Sequence, residues 1–159
     1  MSTLYVDNLQ PNLGSRVMAA GHVINQEMAT VSTQVNITSS TLTSVWTPSY
    51  TPISDNSDVY ALFNLNIMSN NNGGNDARYK WRIELGGVTL FSGIDYGPYD
   101  YNGGGTWFRG YTTYFTKHTN SATSALNYNI LLANDVDSDN ARFCDDGDES
   151  QVIFTEIAR

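Results

Sequence analysis

The segment 77–85 alternates strictly between apolar and charged residues, and this period of two restricts the fold more than any other feature of the chain. The apolar positions are Ala77, Tyr79, Trp81, Ile83 and Leu85, and the charged positions between them are Arg78, Lys80, Arg82 and Glu84. Successive side chains of an extended strand point to opposite faces, so the apolar set lies on one face and the charges on the other. The segment therefore predicts a strand with one buried and one solvent-facing side.

Several other segments repeat this period and predict further strands. They are 31–37, 59–67, 107–115, 126–132 and 151–157. The dipeptide Gly86-Gly87 predicts a tight hairpin from 77–85 into another strand at 88–91, because glycine accepts the positive φ that such turns need. The connection 69–76 is rich in Asn and Gly, and we expect it to join 59–67 and 77–85 as an antiparallel pair with a long polar tip.

The composition argues against helices. Ser, Thr and Asn make up 48 of the 159 residues, whereas charged residues make up only 15%. Ser and Asn offer the backbone competing hydrogen bonds inside a helix, and the β-branched Thr favours strands. About seven to nine short strands separated by turn signals are typical of a sandwich. The sequence thus predicts an all-β domain built as an antiparallel β-sandwich.

The charge balance excludes several classes of partner. The formal net charge is −8 and the chain has only two lysines, Lys80 and Lys117, so it cannot neutralise a nucleic-acid backbone. We expect neither a membrane span nor a signal peptide, because no apolar run is long enough. The lone Cys144 excludes an intrachain disulfide and fits a reducing compartment. We therefore expect no nucleic-acid or membrane partner, and synthesis in a cytoplasm.

Residues 1–21 follow neither the strand nor the helix period. Their apolar residues are irregularly spaced: Leu4, Tyr5, Val6, Leu9 and Leu13. We expect 1–21 to be an extended N-terminal attachment arm that orders against neighbouring molecules, and 22–159 to be the sandwich domain.

Four stretches of the chain, 1–12, 21–23, 31–40 and 150–157, resemble a group of short bacteriophage virion proteins from marine and cyanobacterial phages. The resemblance implies a trimeric jelly roll similar to the tumour-necrosis-factor and complement type. It also implies a place in the virion, either as a capsid decoration or as a tail-fibre tip. The partners that it implies are further copies of this chain and the major capsid protein or other virion proteins.

No group of residues has the spacing of a catalytic or cofactor site. His22 and His118 have no triad or metal partner at a nearby spacing. Asp145 and Asp146 follow Cys144 directly, and their charges disfavour its thiolate. We therefore expect a protein that is not an enzyme and that needs no cofactor.

The stretch 135–149 is acidic and allows two interpretations. Four of its carboxylates occupy positions one, three, five and twelve of a calcium-loop pattern: Asp135, Asp137, Asp139 and Asp146. Position six, however, is Asn140 instead of glycine, and position twelve is not the usual Glu. The other interpretation is a solvated hairpin over 140–152 with its tip at 145–148. We expect no bound metal, with calcium as the alternative.

The stretch 95–107 combines aromatic residues with Gly and Asn. Its candidate contact residues are Tyr96, Tyr99, Tyr101 and Trp107. This composition is typical of binding loops, in which rigid aromatic side chains supply contact area. The sequence therefore supports two functions. The first is a non-enzymatic, trimeric capsid decoration or cement protein of a virion, attached through its arm. The alternative is a tail-fibre or adhesin module that binds a host-surface glycan through this Tyr-rich loop.

Overall fold

Eleven strands account for most of the computed structural model, which describes residues 20–70, 78–96, 107–135 and 140–159. In chain order they are β1 (Val23–Val31), β2 (Val35–Ile37), β3 (Thr43–Trp46), β4 (Ser49–Tyr50), β5 (Ser57–Asn70), β6 (Arg78–Leu85), β7 (Val88–Tyr96), β8 (Trp107–Asn120), β9 (Leu126–Asn134), β10 (Asn140–Phe143) and β11 (Ser150–Ala158). The described residues contain no helix long and apolar enough to cross a membrane.

The first sheet is organised around the long strand β5. On one side β5 pairs with β8 along its whole length, from Ser57 opposite Asn120 to Asn70 opposite Trp107. On the other side it pairs with β11 over its first half and with β10 over its last four residues. β1 pairs with the far edge of β11, and β2 with the far edge of β10. The sheet is therefore four strands wide. β1 and β2 together form one edge, and β11 and β10 together form the position next to it.

The second sheet has the order β7, β6, β9, with β3 and β4 sharing the last position beside β9. When consecutive pieces are counted as one strand, the described part of the chain has eight strands, ordered 1-8-3-6 in the first sheet and 2-7-4-5 in the second. Two four-stranded antiparallel sheets of interleaved order form an eight-stranded jelly roll. The predicted jelly-roll-like β-sandwich is confirmed.

The core lies between the two sheets. The inward residues of β5 are Val59, Ala61, Phe63, Leu65 and Ile67, and the second sheet contributes Trp81, Ile83, Tyr128, Ile130 and Leu132. Phe63 meets Tyr128 edge-on with ring centroids 5.3 Å apart, an arrangement that aromatic quadrupoles favour. The alternation of 77–85 is confirmed by β6, whose residues Tyr79, Trp81 and Ile83 are all buried.

The glycine hairpin is also confirmed. Gly86 and Gly87 have φ of 56° and 83°, which residues with a Cβ rarely adopt, and they bring Leu85 opposite Val88. The strand that follows is longer than predicted, since β7 continues to Tyr96.

The predicted pairing of 59–67 with 77–85 is wrong. β5 pairs with β8, β10 and β11, whereas β6 lies in the opposite sheet between β7 and β9. Alternation shows only that each strand has one buried face. Two strands that pair within one sheet and two strands that pack against each other from opposite sheets produce the same alternation. Packed sheets lie ~10 Å apart, a distance that the seven residues between β5 and β6 can span.

The predicted hairpin over 140–152 is wrong as well. β10 and β11 run in the same direction along β5 and are separated by a single 3₁₀ turn, Asp145–Gly147. Cys144, before the turn, has a left-handed φ of 53°, and its N–H donates to the Asn66 carbonyl at 3.1 Å. The turn residues therefore interrupt one long strand instead of reversing it. Likewise, the single strand predicted at 31–37 is two strands, β1 and β2.

A fully buried carboxylate ties β11 to the segment that enters β5. Glu156 Oε2 accepts hydrogen bonds from the Tyr50 hydroxyl at 2.7 Å and the Ile53 N–H at 2.9 Å. Its Oε1 accepts from the Ser54 N–H at 3.0 Å and the Ser57 hydroxyl at 2.7 Å. Burial by itself raises the pKa of Glu156, but these four donors outweigh it, so the pKa lies below its ordinary value. The same burial and the neighbouring carboxylate raise the pKa of Tyr50.

Candidate interaction surfaces

An exposed apolar row crosses the outer face of the first sheet. It consists of Met28 on β1, Ile153 on β11, Leu62 on β5 and Phe115 on β8, each directly opposite the next in the strand register. Met28 is 62% exposed, Leu62 40% and Phe115 58%. We call these four residues the apolar row. One large apolar residue on a surface is ordinary, but a continuous row across four strands is typical of an interface.

The rows on either side of the apolar row carry little charge. Their residues are Thr30, Gln151, Asn64 and Thr113 on one side, and Gln26, Thr155, Tyr60 and Lys117 on the other. Lys117 is neutralised by Asp58 at 2.7 Å, and this contact lowers the pKa of Asp58. Tyr60 stacks on Phe115 with centroids 5.7 Å apart and so extends the apolar row sideways. This face can approach another protein surface at little cost in charge desolvation.

The strand predicted at 107–115 forms the first part of β8. Tyr111, Thr113 and Phe115 form the outward face of β8, and Tyr111 is 61% exposed. The inward face carries Thr112 and Tyr114, in register with the core residues Leu65 and Phe63 of β5. β8 is an edge strand of the described sheet, where core contacts come from one side only, so polar residues are tolerated at inward positions.

A recess of ≈ 410 Å³ opens at the edge of the sandwich between β7 and β8. It is lined by residues of both sheets: Tyr79, Trp81, Asp95, Gly110, Tyr111, Thr112 and Thr113. Thr112 Oγ1 donates to Asp95 Oδ2 at 3.0 Å and lies 3.1 Å from the Tyr79 hydroxyl. Because the only hydroxyl proton of Thr112 is directed to Asp95, the Tyr79 hydroxyl donates to Thr112.

The Tyr79 hydroxyl in this recess is uncharged. Burial, with the charge of Asp95 adding to it, raises the pKa of Tyr79 to about 12, so its phenol stays protonated. Trp81 is buried, and its indole Nε1 has no hydrogen-bond partner among the residues that the structure describes. At Gly110 a Cβ would come within 3.3 Å of the Ile67 carbonyl and 3.6 Å of the Tyr79 hydroxyl. The missing side chain at Gly110 therefore helps to keep the recess open.

The predicted contact loop connects the two strands that form this recess. Tyr96 ends β7 and Trp107 begins β8, one residue after Asp95 and three before Gly110. Tyr99 and Tyr101 lie outside the described residues, as do the side chains of Tyr96 and Trp107. The contact role of these four aromatic residues stays a prediction.

The predicted arm residues Leu4, Tyr5, Val6, Leu9 and Leu13 also lie outside the described part of the chain. Ala20 is the first residue that the structure describes. The Gly21 N–H, one residue later, donates to the Ala158 carbonyl at 2.8 Å. The chain before residue 20 therefore joins the domain beside the last residues of β11, next to exposed Val23.

The acidic stretch is partly engaged in ion pairs. Asp135 contacts Lys80 Nζ at 3.1 Å and an Arg78 guanidinium nitrogen at 3.4 Å. Asp137, Asp139 and the side chain of Asp146 lie outside the described residues, and the strand β10 stands between the first three acids and Asp146. Within the described ranges, no three His, Cys, Asp or Glu side chains are placed to share a metal ion. Calcium binding stays an untested alternative.

Cys144 is buried, and its Sγ lies 3.3 Å from the Val31 carbonyl oxygen, which accepts the thiol hydrogen, and 3.2 Å from the Ser150 hydroxyl. Burial is the main cause that raises the pKa of this thiol, with nearby acids adding less. The thiolate is thus disfavoured, as the sequence indicated, although mainly for a different reason. Cys144 acts as a packed core residue.

Comparisons with models of protein families and with curated proteins found no match. Among solved structures, dimeric latent PorU from Porphyromonas gingivalis is 15% identical with a TM-score of 0.42, over 94% of this chain and 14% of PorU. The infectious bursal disease virus VP2 subviral particle is 10% identical with a TM-score of 0.43, over 98% of this chain and 37% of that chain. The Gt strain of the same virus gives 10% identity and a TM-score of 0.36, over 98% of this chain and 43% of that chain. The chain spans less than half of each of these proteins, and at these scores the likenesses carry no argument about function.

Proposed function

We propose that this chain is a non-enzymatic structural protein of a bacteriophage virion, a trimeric decoration or cement protein attached to the capsid through its N-terminal arm. The observation that carries the proposal is the apolar row on a nearly uncharged sheet face of a jelly-roll domain. The parts of the proposal that concern a phage, a place in the virion and a trimer rest on the sequence resemblance to short phage virion proteins. We place the protein in the virion and its synthesis in the host cytoplasm.

The size of the face supports contacts between copies of the chain. Four strands about 4.8 Å apart and three outward rows about 6.8 Å apart give a face of roughly 400 Å², and the apolar row covers about a third of it. The largest apolar patch of an ordinary monomer covers ~300–600 Å² and is often functional, whereas a stable interface buries ~800 Å² on each partner. The face can therefore form the centre of an interface, with neighbouring loops or the arm at its rim.

The particle itself provides the test. A tag after Arg159, the exposed last residue, labels the chain without touching the sheet face, and gold particles are then located on purified virions by electron microscopy. We expect labels distributed over the capsid at high copy number. Labels confined to the tail tip would support the alternative function, and particles without label would overturn both.

The arm is tested by deletion. Removing residues 1–19 leaves Gly21 and its hydrogen bond to Ala158 in place, so we expect a folded domain with an almost unchanged melting temperature. The deletion also removes Leu4, Tyr5, Val6, Leu9 and Leu13, which would each contribute roughly 1.5–3 kcal/mol if buried on the capsid. Association with particles, measured by co-sedimentation, is therefore expected to be lost. A deletion that still co-sediments would place the attachment surface elsewhere on the domain.

A tail-fibre or adhesin module that binds a host-surface glycan is the second candidate. The observation that favours it is the recess between β7 and β8, which combines an exposed Tyr111 with the polar groups of Asp95 and Thr112. The two candidates differ in their location on the particle, which the labelling experiment distinguishes.

A further inference from the structure

We infer that the recess between β7 and β8 is a binding site for a neutral saccharide, a property that does not depend on where the protein lies in the virion. The site consists of described residues only: Tyr79, Trp81, Asp95, Tyr111 and Thr112. Ligand sites commonly measure ~300–1,000 Å³ and combine aromatic walls with a few converging polar groups. The recess, at ≈ 410 Å³, lies within this range.

The polar groups of the recess fit hydroxyl groups. The Asp95 carboxylate accepts a hydrogen bond from Thr112, and an ionised carboxylate has about four acceptor positions. Further donors can therefore bind to it, and neighbouring hydroxyls of a sugar ring are suitable donors. Trp81 is only 3% exposed, so its indole forms part of the wall of the recess and its N–H is not open to a ligand.

The preorganisation of the site supports this inference. Tyr79 and Thr112 form a directed chain of hydrogen bonds that ends on Asp95 and holds the carboxylate in one orientation. Tyr79 comes from the second sheet and Thr112 from the first, so the packing of the two sheets fixes the distance between them. A preorganised acceptor loses little entropy when a ligand binds.

Tyr111 supplies the apolar part of the site. Tyr111 lines the recess from the edge strand β8 and is 61% exposed. The face of an aromatic ring is electron-rich and attracts the slightly positive C–H groups on one side of a pyranose ring. A recess lined by both an exposed tyrosine and a hydrogen-bonded carboxylate thus matches the apolar and the hydroxylated surfaces of a saccharide.

The charge of the site and of the whole chain selects a neutral ligand. Asp95 is the charged residue among those that line the recess, and the chain has a net charge of −8. Sialic and uronic acids would be repelled by both. An organic cation is the competing ligand class, because a carboxylate and an aromatic face also attract an ammonium group.

The test uses the full chain and saturation-transfer NMR with the methyl glycosides of glucose, galactose and mannose. We expect at least one of them to bind at millimolar concentration, the range usual for small ligands at open sites. Asp95→Asn and Tyr111→Ala are each expected to weaken binding about tenfold, which is ~1.4 kcal/mol. Tyr111→Phe, which keeps the ring, is expected to bind like the unchanged chain.

Matched controls lie close to the site. Ile94→Ala removes an exposed side chain beside Asp95 on the opposite face of β7, and Glu84→Gln removes one negative charge from β6. Neither is expected to change binding, and melting curves confirm that all variants are folded. Three results would overturn the inference: no glycoside binds, binding is unchanged by both recess variants, or only a tetramethylammonium probe binds. In each case the labelling of virions is unaffected, so the proposed function is judged separately.

Discussion

Glu156→Gln is expected to lower the free energy of unfolding by about 2–4 kcal/mol. The four donors around this side chain are arranged in pairs, one backbone N–H and one hydroxyl on each carboxylate oxygen. An amide has one oxygen and one NH₂, so in either orientation one backbone N–H, of Ile53 or of Ser54, faces another donor. The hydroxyls of Tyr50 and Ser57 can rotate, but a backbone N–H cannot, and it stays buried without an acceptor.

Thermal unfolding provides the measurement. For a domain of this size a loss of this magnitude lowers the melting temperature by on the order of 10 °C. Glu149→Gln is the matched control, because Glu149 is exposed and the same charge is removed just before β11 begins. If the two variants melt at the same temperature, the buried carboxylate does not stabilise the fold as proposed.

The pH dependence follows from the same site. Because the pKa of Glu156 in the folded protein lies below its ordinary value of 4.5, the folded state favours the ionised carboxylate. Its contribution is fully present above the pKa of the unfolded chain and is lost as the pH falls through the lower pKa of the folded protein. The unchanged chain and Glu156→Gln should therefore differ most near neutral pH and progressively less below about pH 4.5. A difference that grows in acid would contradict this assignment.

This carboxylate illustrates what the sequence could and could not predict. Strands and their buried faces follow from local alternation, as Tyr79, Trp81 and Ile83 of β6 show. On β11 the inward set is Val152, Phe154 and Glu156, and a glutamate at an inward position contradicts the rule that charges face solvent. The donors that stabilise it come from residues 50–57, about a hundred positions away, and no local pattern indicates them.

The pairing of the strands could not be predicted from the sequence either, because it depends on contacts between residues that are far apart in the chain. β5 pairs with β8 and β11, and its polar connection to β6 crosses to the other sheet. The candidate sites depend on this pairing. Met28 and Phe115 belong to one row only because Ile153 and Leu62 stand between them in register. Asp95 meets Thr112 because the two edge strands face each other across the sandwich. The acidic run and the tyrosines were visible in the sequence, but their surroundings were not.

Leu62→Lys is expected to dissociate the proposed trimer. Leu62 is the central side chain of the apolar row, with Ile153 and Phe115 opposite it on the two adjacent strands. If copies of the chain meet at this face, the lysine removes roughly 1.5–3 kcal/mol of apolar burial at each contact. It also places an ammonium group where no described carboxylate of the face is free, since Asp58 is paired with Lys117. Each interface should weaken at least ~100-fold, which is about 2.7 kcal/mol.

Sedimentation velocity at micromolar concentration measures this effect. The unchanged chain should sediment as a trimer and Leu62→Lys as a monomer. Ile94→Lys is the control, since Ile94 is 45% exposed on a strand of the other sheet and should leave the trimer intact. Because Leu62 points away from the core, both variants should keep the melting behaviour of the folded domain, apart from the stabilisation that assembly itself provides. A monomeric unchanged chain would remove the trimer, and a dimer would keep the interface but change its symmetry. A Leu62→Lys trimer would move the interface away from the apolar row, and the exposure of Met28 and Phe115 would then require another partner, such as the capsid surface.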